Sequence, residues 1–312
     1  SPPQPLGWQR PWQRPGRGRP EGGAVVDKPL IVGVDGSEPS LRALDWAVDE
    51  AAAHGVPLRV VHASRWEWYE GHEPSFGING TQVREVAEKV TATAVERVLR
   101  RSAPVEVTSE VVPEDPAVAL VRLSASAGAV VVGSRGHGEL AELLLGSVGL
   151  SVAARAASPV IVVRGRAENV RGDHHTVVLG VDEPEDAHTA AEFAFGEARV
   201  RGASVTAAHA WRCPAREVPE FPTSAHAEHQ RRAEEQVERA VREASAAHPD
   251  VSVRRMSVEG SARNLLLDAA LTADLVVVGA RRRKGHLGMQ LGPVNHAVLH
   301  HAACPVAVVP HS

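Results

Sequence analysis

Short apolar runs alternate along the chain with longer stretches in which apolar residues recur every three or four positions. Leu30 to Val34, Leu58 to His62, Ala129 to Val132 and Val160 to Val163 read as buried strands. Between the first two, Ser37 or Ser40 can cap a helix that carries Leu41, Leu44, Trp46, Ala47 and Ala51 and stops at Gly55. The connection from Ser64 to Gly80 is long and aromatic. After it, Val83, Val86, Val90, Ala94 and Val98 predict a helix over Thr81 to Arg101. Val105 to Val112 alternates as a half-exposed strand, and Asp115-Pro116 supplies a cap and first turn for another helix. Val148 to Ala157 reads as the helix before the closing strand. Strands separated by helices imply parallel pairing, so the pattern predicts an α/β unit with a doubly wound five-stranded parallel sheet.

The whole unit occurs twice. Leu179-Gly180-Val181-Asp182 repeats Val32-Gly33-Val34-Asp35, Val205 to Ala210 repeats Leu58 to Ala63, and Asp274 to Gly279 repeats Gly128 to Gly133. Ala303 to Val309 repeats Ala157 to Val163. The offset of about 146 residues is a domain length rather than a short repeat period. Two tandem domains are expected over residues 27–166 and 173–312, joined by a link around Ala167 to Gly172. Residues 1–26 are expected to form a disordered tail, rich in Pro and Arg, in which Trp8 and Trp12 read as solvated.

Chemistry concentrates where the fourth strand ends. Gly133-Ser134-Arg135-Gly136 is followed after nine residues by Gly146-Ser147, between the apolar run and the helix. A strand that feeds a glycine loop and a helix amino end leaves backbone N–H groups free to hold an anion. Glycine allows close approach of the backbone, and some of these positions are expected to need positive φ. Ligands in such sheets lie beyond the carboxyl ends of the strands where the winding reverses, which would bring Asp35 and Gly133 together. The spacing alone specifies an anion site in an α/β fold.

The loop pattern of glycine, two residues, glycine, nine residues, glycine and serine resembles that of the universal stress protein family. The resemblance extends to Val32 through Ser37 and to Ser158 through Val163. It implies an adenine nucleotide α-hydrolase-like fold, membership of the ATP-binding subgroup, and ATP, with Mg near Asp35, as ligand. Carried over residue by residue, it places Gly33, Val34 and Asp35 beside the ribose and Ala63 along the adenine. Val132 and Gly133 would lie under ribose and phosphates, Arg135 and Gly136 along the phosphate chain, and Gly146, Ser147 and Val148 would donate to the phosphates. The second domain's counterparts are Gly180, Asp182, Ala210, Gly279, Arg281, Gly292, Pro293 and Val294. There Arg282 replaces the second glycine, and Pro293 replaces the serine, deleting an N–H and a hydroxyl. The basic run Arg281 to Lys284 offers screened attraction in their place. The two sites are therefore expected to be unequal, the second weaker and more salt-sensitive.

Composition narrows the classes. A formal net charge of −4 gives no global argument for nucleic acid or an anionic membrane. The apolar runs fall far short of the ~20 residues that span a bilayer. With only Cys213 and Cys304, a disulfide framework is not expected, and a reducing cytoplasm is the expected location. His296, His300 and His301 sit at ligand-like spacing on the last helix, yet no carboxylate or cysteine accompanies them, so they read as a surface face and no resident metal is expected. Glu228 to Glu243, dense in Glu and Arg, reads as an exposed helix with i,i+4 pairs. No G-x-x-x-x-G-K-S/T loop, nucleophile elbow or H-E-x-x-H occurs.

A nucleotide-dependent regulator of a stress or dormancy response, acting on an unidentified protein partner, is thus the first functional reading. An enzyme that hydrolyses or transfers from ATP, and an interaction scaffold without nucleotide, are the alternatives. The apolar last strands, Val160 to Val163 and Val306 to Val309, need cover. In the resembled family such strands pair, which implies an internal pseudo-dimer of the two domains and leaves room for a homodimer of the chain.

Overall fold

The computed structural model describes residues 28–64, 80–101, 103–134, 145–182, 187–212, 222–280 and 291–311. The amino-terminal tail, most of the aromatic connection, Cys213, Arg135, Gly136 and the basic run from Arg281 lie outside the described residues. The first half contains strands β1 (Leu30–Gly33), β2 (Leu58–Ala63), β3 (Val107–Val112), β4 (Ala129–Gly133) and β5 (Val160–Val163). Its helices are α1 (Glu38–His54), α2 (Gly80–Arg100), α3 (Pro116–Ser124) and α4 (Ser147–Arg155). A short helix α5 (Ala167–Arg171) precedes the second half. There β6 (Thr176–Gly180), β7 (Ser204–Trp211), β8 (Val253–Glu259), β9 (Leu275–Ala280) and β10 (Val306–Pro310) alternate with α6 (His188–Arg201), α7 (Pro222–Ala247), α8 (Ala262–Ala269) and α9 (Pro293–His301).

The strand order in the first half is β3-β2-β1-β4-β5, and the second half repeats it as β8-β7-β6-β9-β10. Winding therefore reverses between β1 and β4 and between β6 and β9. The two five-stranded sheets expected from the sequence are fused into one of ten strands. At the junction β5 pairs antiparallel with β10, Ile161 opposite Ala307, and Val160 and Val162 opposite Val308 and Val306. All other neighbours are parallel. The strands of the two halves consequently run in opposite directions, and their carboxyl ends face opposite edges of the sheet.

Local chemistry accounts for the boundaries. Ser37 is the cap of α1, its hydroxyl accepting from Ser40 N, and Gly55 ends the helix at φ 67. Asp115 caps α3 through Ala117 N at 3.0 Å and Val118 N at 3.3 Å, with Pro116 in the first turn. The third strand begins at Val107 instead of Val105, whose N–H is bound in a turn to Ala103 O. The Glu/Arg-rich helix keeps pairs such as Arg231–Glu235 in solvent and buries Ala233, Val237, Val241 and Ala244. Two apolar layers cover the faces of the sheet, each running through both halves: one includes Leu44, Leu58, Phe195 and Val241, the other Leu120, Val152, Leu266 and Val298.

The junction is tied by the backbone and by charge. Arg164 Nε donates to Ala302 O at the end of α9, and Arg166 N donates to Ala303 O. Gly165, at φ 95, lies so close that a Cβ would stand 2.1 Å from Ala303 O, which leaves glycine alone able to hold the position. On the helical layer Arg201 bridges Glu50 and Glu197, and stacks over Trp46 at 5.5 Å. Burial, reinforced by the Glu197 charge, pushes the Glu50 carboxyl up to about 7. Hydrogen bonds to Glu197 and Glu50 raise His54 to about 10.

The link departs from its sequence reading. Its residues form α5, closed by Gly172 at φ 83, and Asn169 is fully buried. Its Nδ2 donates to the carbonyl of Ala273 at 2.7 Å and lies 3.2 Å from those of Ala270 and Leu271, where α8 passes into a 3-10 turn. Replacing Asn169 by Ala removes the donor that Ala273 O receives at 2.7 Å. Urea unfolding of Asn169→Ala is expected to show a stability loss of about 1–3 kcal/mol, whereas an undocked link would show none.

Candidate functional site

A cavity of about 370 Å³ opens at the reversal point of the first half. Its floor is the ends of β1 and β4, Gly33, Val34, Val132 and Gly133; Val61 and Ala63 of β2 form one side, and Pro116 and Leu120 of α3 another. The mouth is closed by Asp35, Ser40 and the first turn of α4, Gly146 to Gly149. Every first-half site residue expected from the sequence and lying among the described residues lines this one cavity. Arg135 and Gly136 are outside the described residues. Ser40, Pro116, Leu120 and Gly149 also line it, and the loop spacing alone carried no signal for them.

The positions are held by specific contacts. Gly133 has its place because β4 runs against the amino end of α1: a Cβ there would stand 2.6 Å from Pro39 O. That close packing, not a left-handed backbone, requires the glycine; Gly133 is absent from the positive-φ positions and Gly146 has φ −66. Neither of these two takes the positive φ expected of some glycines in this loop, and Gly136 lies outside the described residues. Gly146 is the cap of α4 and carries no side chain to take up the helix's first N–H groups, so the amino end of α4 faces the cavity uncapped by its own residue. Asp35 Oδ1 accepts from Ser37 N at 2.9 Å and Ser37 Oγ at 2.5 Å, which fixes the carboxylate at the mouth. His62 Nδ1 lies 2.8 Å from Val34 O, and because a carbonyl only accepts, Nδ1 carries the hydrogen. This bond ties β2 to the backbone beside Asp35.

The second half repeats the frame and fills it. His209 Nδ1 meets Val181 O at 2.9 Å, as His62 meets Val34 O. Gly180, Asp182, Ala210, Gly279 and Val294 surround a cavity of only about 130 Å³. Gly292 and Pro293 begin α9 outside its lining, and Arg281 lies outside the described residues. Where the first half has Gly149, the second has Asn295, whose Nδ2 donates to Gly279 O at 2.9 Å across the mouth. Asn295 in place of Gly149 is a further difference besides Arg282 and Pro293.

The last helix also differs from its sequence reading. His300 is half-buried, stacked 6.1 Å from His296, and its Nδ1 accepts a hydrogen bond from Leu145 N at 3.0 Å. Leu145 immediately precedes Gly146, the cap of α4, so a side chain of the second half holds the backbone at the entry to that helix. On the membrane question, among the described residues no helix is long and apolar enough to span a bilayer. Cys304 is a free thiol, pushed up to about 12 by burial.

Comparison with known proteins agrees with this arrangement. The family model described as "Universal stress protein family" matches residues 28–164 and again 174–310. A universal stress protein of Mycobacterium tuberculosis is 36% identical over 292 residues, covering 91% of this chain and 97% of the relative. Another, of Mycolicibacterium smegmatis, is 34% identical over 288 residues, covering 90% and 96%. The crystal structure of a universal stress protein from Archaeoglobus fulgidus shares the fold, with a TM-score of 0.67 at 19% identity, over 92% of this chain and 100% of that one.

The His300 contact has a pH dependence of definite sign. To accept from Leu145 N, Nδ1 must be unprotonated. Burial first, then His296, His301 and Arg164, lowers the pKa of His300 below its ordinary value. A base whose folded pKa is lowered contributes stability that is complete above about pH 6.5 and is lost as pH falls from there through the lowered value. Urea titrations at pH 5 and 7.5 are expected to show a smaller difference for His300→Gln, whose amide oxygen accepts at either pH, than for the parent chain. Equal differences would mean that the contact does not titrate.

Proposed function

The chain belongs to the universal stress protein family, and from that premise we propose that its first half binds ATP, with Mg near Asp35, and that occupancy regulates a protein partner in a stress response. The observation that carries this reading is the cavity of about 370 Å³ at the strand reversal, bounded on one side by the uncapped amino end of α4. Its size falls in the range of roughly 300–1,000 Å³ that holds small-molecule ligands, whereas about 130 Å³ in the second half does not. The lining suits the parts of a nucleotide. Val61, Ala63, Leu120 and Val132 offer an apolar bed for the base, Asp35 an acceptor for ribose hydroxyls or a charge for the metal, and Ser147 and Val148 N–H donors for phosphate.

Binding is a better account of this site than turnover. Phosphoryl transfer needs a positioned nucleophile and neutralisation of the γ-phosphate. Among the described lining residues Asp35 is the one ionisable group, and it is engaged by Ser37 at the mouth. The second half is proposed to act as the fixed partner of the first, its own cavity closed by Asn295.

Transplanting that closure tests the assignment. In Gly149→Asn the new side chain would reach toward Gly133 O, 3.7 Å from the position of its Cβ, with Leu145 Cδ1 at 3.1 Å giving way. Calorimetric titration of the full chain with ATP and Mg is expected to show one strong site and a loss of affinity of about tenfold or more in the variant. Unchanged affinity with a native circular-dichroism spectrum would remove ATP from this cavity. Phosphate release beyond one equivalent per chain would replace the binding reading by the enzymatic one.

A further inference from the structure

A second constellation lies between the halves, beside the amino ends of β1 and β4 and away from the nucleotide cavity. Glu50 and His54 stand one turn apart on α1, ahead of its capping Gly55; Glu197 and Arg201 stand at the matching places on α6, ahead of Gly202. Both carboxylates are buried. Next to them is a cavity of about 260 Å³, whose lining includes Lys28, Ile161 and Phe193 as well as Glu50, His54 and Glu197.

The hydrogen bonding here is incomplete in a specific way. His54 Nε2 lies 3.1 Å from Glu50 Oε1 and 3.1 Å from Glu197 Oε1. One N–H cannot point at two oxygens, so the contact is shared and neither acceptor is well served. The other oxygens are better placed, since Arg201 Nη2 donates to Glu50 Oε2 at 2.6 Å and Nη1 to Glu197 Oε2. Nε2 and the two Oε1 atoms all lie within 4.8 Å of one another. Zinc bonds of about 2.0–2.1 Å to nitrogen and oxygen imply ligand–ligand edges of roughly 3.3 Å in a tetrahedral site. The two 3.1 Å separations already approximate such edges.

We propose that Glu50, His54 and Glu197 form a site for one divalent transition-metal ion of the zinc class, shared by the two halves of the chain. The ion takes the place of the hydrogen that Nε2 divides between the two carboxylates and gives each of the three atoms a full partner. An imidazole ligand selects such an ion over Mg and Ca. The cavity supplies the entry path and the open position for water, as three-ligand zinc sites require. Arg201 is the outer-shell group: by holding both Oε2 atoms it turns both Oε1 atoms toward the ion. Because two ligands come from α1 and one from α6, metal occupancy fastens the helical layer across the junction.

The test uses the full chain, stripped with a chelator and titrated with Zn²⁺ alone, free of nucleotide. One ion per chain is expected, with affinity lowered by at least about tenfold in His54→Gln and in Glu197→Gln. The double variant His296→Gln, His300→Gln is expected to keep the ion, which separates this site from the histidines of α9. X-ray absorption at the zinc edge of the parent chain gives a reading independent of any variant: one imidazole with oxygen ligands is expected. No stoichiometric ion, two or more imidazoles at the metal, or unchanged affinity in His54→Gln would each overturn the proposal. Neither result bears on ATP in the distant cavity, whose titration is separate.

Discussion

An all-parallel five-stranded sheet that ends on a strand such as Val160-Ile161-Val162-Val163 has an edge it cannot leave in water. The antiparallel pairing of β5 with β10 removes that edge in both halves at once. Much else follows from this one contact. It sets a local two-fold relation about Ile161 and Ala307, which brings α1 against α6 and so places Glu50 beside Glu197. It turns the second half end for end, which puts His300 of α9 beside Leu145, just ahead of α4. It leaves the turn at Gly165 no room for a side chain against Ala303. The first cavity thus borders on a contact made by the far half of the chain.

The strands were legible because burial on both faces leaves unbroken apolar runs, and Val130-Val131-Val132 has no other plausible use. The first cavity was legible for a related reason: Gly133, Gly146 and Ser147 are close in sequence, and all three line it. Contacts between remote residues left no such trace. His62 meets Val34 O and His300 meets Leu145 N because tertiary packing brings them there, and nothing in the neighbouring residues marks either histidine. Asn169 fell within the expected link, and only its contact with Ala273 O, remote in sequence, gives it a buried role. The metal-ligand spacing of His296 and His300 was visible, whereas Glu50, His54 and Glu197 are divided between two domains and show only as two ordinary helical turns.

The repeat also shows how a frame can persist while its use changes. Strand order, capping glycines and the histidine-to-carbonyl bond are the same in both halves. Among the described lining residues the cavities differ at Val61 and Ala208, at Pro116 and Ala262, and in the first turn of the helix after β4 or β9. At Gly149 and Asn295 the difference is a single side chain, yet its amide joins the first turn of α9 to Gly279 O at the end of β9. The backbone itself is preserved because it also carries the core, and the core is what both halves share.

Covalent connection changes the thermodynamics of the covered edge. Two separate chains hide their last strands only above the dissociation constant of their complex, and dilution would expose both. Here α5 and its short flanks hold the second half at an effective concentration on the order of millimolar or above, whatever the abundance of the protein. The edge therefore stays hidden at a few copies per cell as completely as at thousands. A chain of this construction is free to be scarce.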